Sequence, residues 1–229
     1  QLKWSIRMFI MRSARYILPL LCILTITTAS ILYANEVSKS KIVSHDLEIE
    51  LYLKEHKLKA VDHMRVQCVD KDKISCLINE AFQILSIGSL GRKLDFKVRT
   101  RGFAIDGLIQ NGISGNVQCM EITIPQDLRQ ADSVVLDIAY EGCLLERPAS
   151  LELEDVGKTT GIIDEAGVYL SPACTWYPDI PGALATFSVI VITPEGYEAV
   201  TQGTLISRKS VESKTHTTWE EKNVSEGCD

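Results

Sequence analysis

The motifs missing from this sequence exclude more chemistry than the motifs present assign. There are only four histidines, His45, His56, His63 and His216. None sits in H-E-x-x-H, and no two have the i, i+4 helical spacing that places two imidazoles on one metal. G-x-S-x-G, P-loop and dinucleotide fingerprints are absent. So is C-x-x-C, which removes the thioredoxin-like and zinc-ribbon readings. Excess positive charge is lacking too: the chain carries 24 Lys and Arg against 30 Asp and Glu. With no basic stripe to offset that balance, nucleic-acid binding is disfavoured. Beyond the first 34 residues no stretch has the 3.6-residue period of an amphipathic helix.

At 229 residues with 45% hydrophobic content, the chain suits one globular domain behind a short leading segment. The first residue is Gln, and Met8 or Met11 is the expected start of translation. Arg12 and Arg15 precede Tyr16 to Ala34, 19 residues without a charge. This is the pattern of a signal peptide or an N-terminal membrane anchor over residues 1–34, and the small residue at Ala34 favours cleavage. Basic residues on the N-terminal side predict export of the rest, to a periplasmic, extracellular or membrane-anchored location. That segment holds four basic residues and no acid, so the exported part carries 20 basic and 30 acidic side chains. Six of the seven cysteines follow it (Cys68, Cys76, Cys119, Cys143, Cys174 and Cys228). In an oxidising compartment disulfides are permitted, and Cys68 with Cys76 is the best local pair.

The exported part reads as strands throughout. Val43, His45, Leu47, Ile49, Leu51 and Leu53 alternate with polar residues, and Glu55-His56-Lys57 makes a turn. Ala60, Met64, Val66 and Cys68 return. Lys73 to Asn79, Phe82 to Ser89, Leu94 to Val98, Val117 to Ile124 and Val134 to Tyr140 come next. Ala183 to Thr193 is apolar on both faces, which predicts a central strand covered on both sides. Leu205-Ile206 and Thr215 to Trp219 form a last hairpin. The expected fold is all-β, an antiparallel saddle-like β-sandwich over residues 41–222, with residues 223–229 an unstructured or truncated end.

Between Gly167-Val168-Tyr169-Leu170 and the last long apolar strand lies a corner, Ser171 to Gly182. Pro172, Pro178 and Pro181 cannot donate to a ladder there. Trp176 and Tyr177 in this corner can serve the domain's own core, an interface or a ligand. His45 reads as a satisfied core or edge histidine. His56 and His63 flank a hairpin and can approach across it, without a visible third metal ligand. Cys174 has no base near it in sequence, so a buried or bonded thiol is the better reading. Glu152 and Glu154 in L-E-L-E-D form one solvated strand face.

The corner W-Y-P-D-I-P, with A-T-F, an apolar strand and T-Q-G after it, resembles the N-terminal domain of the aminopeptidase N family of zinc metallopeptidases. There the corner reads like F-P-C-x-D-E-P, succeeded by A-T-F, an apolar strand and S-N-G. Asp179 and Pro181 stand where that D-x-P stands, and Ala185-Thr186-Phe187 and Thr201-Gln202-Gly203 lie at matching distances. V-S-H-D-L-E-I-E-L and V-V-L-D-I-A-Y-E-G are similar to the family's opening strand and to its strand before the corner. W-Y-P in place of F-P-C is similar to a divergent bacterial branch.

The resemblance implies a non-catalytic β domain that packs on a metallopeptidase catalytic domain and helps wall its substrate cleft. Trp176, Tyr177, Asp179 and Pro181 are then the candidate interdomain or ligand contacts, the two aromatics aimed at the neighbouring domain. The family's zinc motif is absent here, so zinc is expected only in a catalytic domain outside this sequence, and no catalytic, cofactor or metal residue is assigned. The partners implied are that domain, a peptide substrate and, if the leading segment is retained, a membrane. The family's residue for the substrate amino terminus has no counterpart around Ser171-Pro172-Ala173. Two origins stay open, a fragment of a longer metallopeptidase-like protein or an orphaned domain. The alternative function is a standalone exported β-sandwich that binds a protein or glycan through Trp176 and Tyr177.

Overall fold

A computed structural model describes residues 40–67, 72–100, 117–146 and 160–228. The leading segment, Cys68, the L-E-L-E-D stretch and Asp229 lie outside the described residues. The first strand, β1 (Lys41–Tyr52), and the second, β2 (Lys57–Gln67), form the expected hairpin. His56 takes a positive φ of 52° in the turn between them. A register shift between Ile42 and Ser44 changes the start of β1. The extra residue of that bulge turns Ile42 into the core (0% exposed) and Val43 out of it (39%). Plain alternation had placed Val43 on the face of His45 and Leu47.

Four strands come after this hairpin, β3 (Lys73–Asn79), β4 (Phe82–Ser89), the short β5 (Arg92–Lys93) and β6 (Phe96–Thr100). Next come β7 (Val117–Thr123), β8 (Ser133–Cys143), β9 (Gly161–Asp164) and β10 (Gly167–Leu170). The chain ends with β11 (Ala185–Pro194), β12 (Thr204–Val211) and β13 (Lys214–Ser225). No α-helix occurs among the described residues, and none of their helices is long and apolar enough to cross a membrane.

Eight strands make one open sheet in the order β12-β13-β11-β1-β2-β8-β4-β5. β3-β7-β6 and β10-β9 form two smaller sheets. Among the described residues every pairing is antiparallel except one: β11 lies parallel to β1, with His45 opposite Phe187 and Ile49 opposite Val191. A hairpin cannot join parallel neighbours, so the intervening chain has to cross over before β11 returns. That crossover carries the smaller sheets and the corner.

One continuous core lies on the inner face of the large sheet. It joins Leu47, Leu58, Met64, Leu136 and Ile138 of that sheet to Ile74, Ile78, Met120 and Ile122 of the three-stranded one, with Ile163 of β9. At about 25 cal/mol per Å² of apolar surface, such burial is the main term holding the layers together. β11 is central, as its apolar character suggested, but its two faces differ. Phe187, Val189 and Val191 are buried, whereas Ile190 and Ile192 on the other face are only half-buried. Cys76 is buried on β3 with a free thiol, so it is not disulfide-bonded.

Candidate functional site

The corner is an ordered part of the core. Pro172–Cys174 forms a single 3-10 turn, and Thr175 caps it in the left-handed region with φ 52° and ψ 49°. A β-branched residue in that region is strained, so its surroundings have to fix it. β3 does so: the Asn79 amide donates to the Thr175 carbonyl at 2.9 Å, and Asn79 Nδ2 donates to the Cys174 carbonyl at 2.9 Å. Leu77 and Asp179 exchange both backbone bonds, at 2.7 and 2.8 Å. The corner closes with Pro181 and Gly182 in a turn, where the Ala183 amide donates to the Ile180 carbonyl at 2.9 Å and Gly182 takes φ 77°. Pro before a left-handed Gly is the signature of a type II turn.

Under the corner lies a buried ionic pair. His45 on β1 and Asp62 on β2 are 1% and 0% exposed, with Nδ1 and Oδ2 2.8 Å apart. The imidazole stacks on Phe187 at 5.1 Å and 9° and meets the edge of Tyr177 at 5.1 Å and 73°. Trp176 stands edge-on to Tyr177 at 4.7 Å. Burial alone would lower the His45 pKa, but the charge and hydrogen bond of Asp62 outweigh it and raise it. Burial raises the Asp62 carboxyl, against the pull of His45. The pair therefore holds its shared proton above the ordinary imidazole range, because losing it would strand a carboxylate in the core. Burial also pushes Asp179 up to about 6, with His45 partly opposing it.

Trp176 and Tyr177 grip the segment after β13. Trp176 Nε1 donates to the Cys228 carbonyl at 3.3 Å, and the Cys228 amide donates to the Tyr177 hydroxyl at 3.1 Å. Gly227 passes so close to Pro172 that a Cβ there would lie 2.5 Å from its ring. Both aromatics are 2% exposed. Of the three uses open to them, the one they serve is the domain's own core, and the expectation that they point at a neighbouring domain is corrected. Their rings find apolar partners in Phe187 and each other, and their polar ends find Cys228. Asp179 and Pro181 are half-buried beside them.

The chemistry of the corner is correspondingly quiet. Burial pushes the Cys174 thiol up to about 12, so it stays protonated and is no nucleophile. His56 Nδ1 lies 2.7 Å from the Ile163 carbonyl, and His63 Nδ1 lies 2.6 Å from Asp137 Oδ1 on β8. The two histidines thus serve different neighbours and do not form a common site. No group of three His, Cys, Asp or Glu side chains is placed to hold a metal among the described residues. The sequence reading missed Asp62. Its signal was a carboxylate in the apolar phase of β2, between Ala60 and Met64, where only a partner on the next strand makes burial tolerable.

An open feature lies beside the corner. A cavity of about 330 Å³ runs between β10 and residues 198–201, floored by Trp176, Val189 and Val191. A second, of about 420 Å³, adjoins it and shares Leu51, Leu53, Thr193 and Tyr197 with it. Val168 and Val200 both line the first cavity and are 36% and 78% exposed.

No family profile matches the sequence, and no curated protein matches it. Solved structures do. An M1 zinc metallopeptidase from Deinococcus radiodurans superposes with a TM-score of 0.62 at 16% identity, over 82% of this chain and 41% of that one. A two-domain M1 zinc metallopeptidase bound to L-arginine gives 0.60 at 18%, over 84% and 43%. Yeast LTA4 hydrolase gives 0.52 at 14%, over 82% and 28%. The chain thus spans well under half the length of the structures it matches, and it has the fold of one domain portion of the M1 zinc metallopeptidases.

Proposed function

We propose that this chain is the non-catalytic β domain of an exported zinc aminopeptidase-like protein. It packs on a metallopeptidase domain and helps to form that domain's substrate cleft. The observation carrying this reading is the fold match to M1 zinc metallopeptidases, which extends over 82% of this chain and only 41% of theirs. The sequence lacks H-E-x-x-H, so neither the zinc ligands nor the general base of such chemistry come from this chain. The uncharged run behind Arg12 and Arg15 supports export. The alternative, ligand binding through Trp176 and Tyr177, loses its surface because both side chains are 2% exposed.

Zinc content and aminopeptidase turnover of the purified chain test the reading. Neither is expected, and stoichiometric zinc with turnover would overturn it. An open frame running on into H-E-x-x-H would place the catalytic domain in the same protein.

A further inference from the structure

The walls of the cavity beside the corner are the strand β10 and the non-strand residues 198–200. β10 pairs with β9 alone, so its second edge is open among the described residues. Across the cavity, residues 198–200 belong to no strand, and no backbone–backbone hydrogen bond engages them among the described residues. Both segments line the same space, above the apolar floor of Val189 and Val191. Unpaired strand edges beside an apolar pocket are the two halves of β-strand addition: main-chain bonds supply affinity and the pocket selects a side chain.

The charges lining the adjoining cavity give the occupant a sign. Glu50 is paired with Lys214, and Glu198 with Arg208. Glu55, Glu165 and Glu212 are exposed there and form no ion pair among the described residues, with Lys54 the one unpaired cation lining the adjoining cavity. A chain segment bearing Lys or Arg complements that rim, and an acidic segment is repelled by it.

We propose that the slot between β10 and residues 198–200 binds an extended peptide segment of another protein, with a bulky apolar residue entering the cavity and basic residues flanking it. The proposal does not rest on the metallopeptidase reading.

Panning a phage-displayed random heptapeptide library on the full chain, with anisotropy on the enriched peptides, tests this. Peptides with an apolar residue flanked by Lys or Arg should be enriched. Their affinity should fall at least tenfold on Val168→Asp or Val200→Asp and on N-methylation of the peptide backbone. Reversing Glu165 and Glu212 to Lys should weaken basic peptides selectively. Amide-exchange protection at 168–170 and 198–200 on peptide addition gives a readout on the wild-type chain itself. Enrichment without basic bias, equal enrichment on the two Asp variants, or no protection at those amides would overturn the proposal. So would a dimer in sedimentation that Val200→Asp dissolves, or binding that appears only once residues 1–34 are removed, since these assign the slot to a second copy or to the chain's own leader.

Discussion

His45 and Asp62 sit on neighbouring strands with a 2.8 Å contact between Nδ1 and Oδ2, and neither is more than 1% exposed. Asp62 Oδ1 has no hydrogen-bond partner among the described residues, so the carboxylate depends on His45 alone. Phe187 and Tyr177 cover the imidazole on two sides and exclude water from it. The pair therefore ties β1, β2, β11 and the corner into one unit.

Removing one partner should cost far more than removing both. Asp62→Ala leaves a buried imidazole uncompensated and should destabilise the domain by about 3–5 kcal/mol. The double change His45→Leu with Asp62→Leu replaces the pair by apolar volume and should cost less than Asp62→Ala. Urea unfolding of the single and double variants measures this. Additive losses would show that the two side chains act independently.

Stability should depend on pH through the same cluster, and both shifts act in one direction. Asp179 is raised from 3.8 to about 6, so its contribution is present below about pH 4 and lost as pH rises through about 6. His45 is raised above 6.5, so its contribution persists at and below that pH and disappears as pH climbs through the higher folded value. Glu50 and Glu121 are lowered by their lysine partners, Lys214 and Lys73, and lose their contribution in acid instead. The difference between wild type and Asp179→Asn isolates the first effect. Unfolding midpoints from pH 4 to 9 should show the wild type losing ground to that variant between about pH 4 and 6, and a constant difference would remove Asp179 as the cause.

Thiol reactivity should track burial. Among the described cysteines Cys143 alone is exposed, whereas Cys76, Cys174 and Cys228 are buried. Burial raises the Cys76 and Cys174 thiols and so further suppresses the reactive thiolate. Brief maleimide treatment and peptide mapping should find Cys143 labelled and those three untouched until denaturant is added. Prompt labelling of Cys174 in the native chain would mean that the corner opens.

Much of this fold was legible because β2, β8 and β1 from Ser44 onward alternate, which a one-sided sheet imposes on its residues. The corner was legible as a non-strand because its three prolines forbid a ladder. The parallel partnership of β1 and β11 was hidden, since nothing in either strand encodes the direction of a neighbour more than a hundred residues away. Val43 was misplaced because a bulge shifts phase without a sequence mark of its own. The pair of Trp176 and Tyr177 resembled a binding surface because aromatics look alike in sequence whether they meet a ligand or Phe187 and Cys228.

Truncating Trp176 tests that distinction. Its indole is 2% exposed, edge-on to Tyr177 and bonded to the Cys228 carbonyl. Trp176→Ala should cost about 3–5 kcal/mol, as for other buried aromatics. It should also free the segment around Cys228, which limited proteolysis would detect. An unchanged unfolding midpoint would mean that the indole is not part of the core.

Thr175 offers the opposite sign. It holds a left-handed conformation at φ 52°, which costs a non-glycine residue about 1–2 kcal/mol. Its hydroxyl is buried without a partner, a desolvation penalty of about 1–3 kcal/mol. Glycine removes both costs. Against this stand the lost methyl burial, about 0.8 kcal/mol, and the extra backbone entropy of glycine, about 0.5–1 kcal/mol. The strain and the unpaired hydroxyl outweigh these losses, so Thr175→Gly should stabilise the domain by about 1 kcal/mol in urea unfolding. Thr175→Ala removes the hydroxyl but keeps the backbone strain, so it should fall between the two. A Thr175→Gly variant less stable than wild type would show that the hydroxyl has a bonding partner in solution.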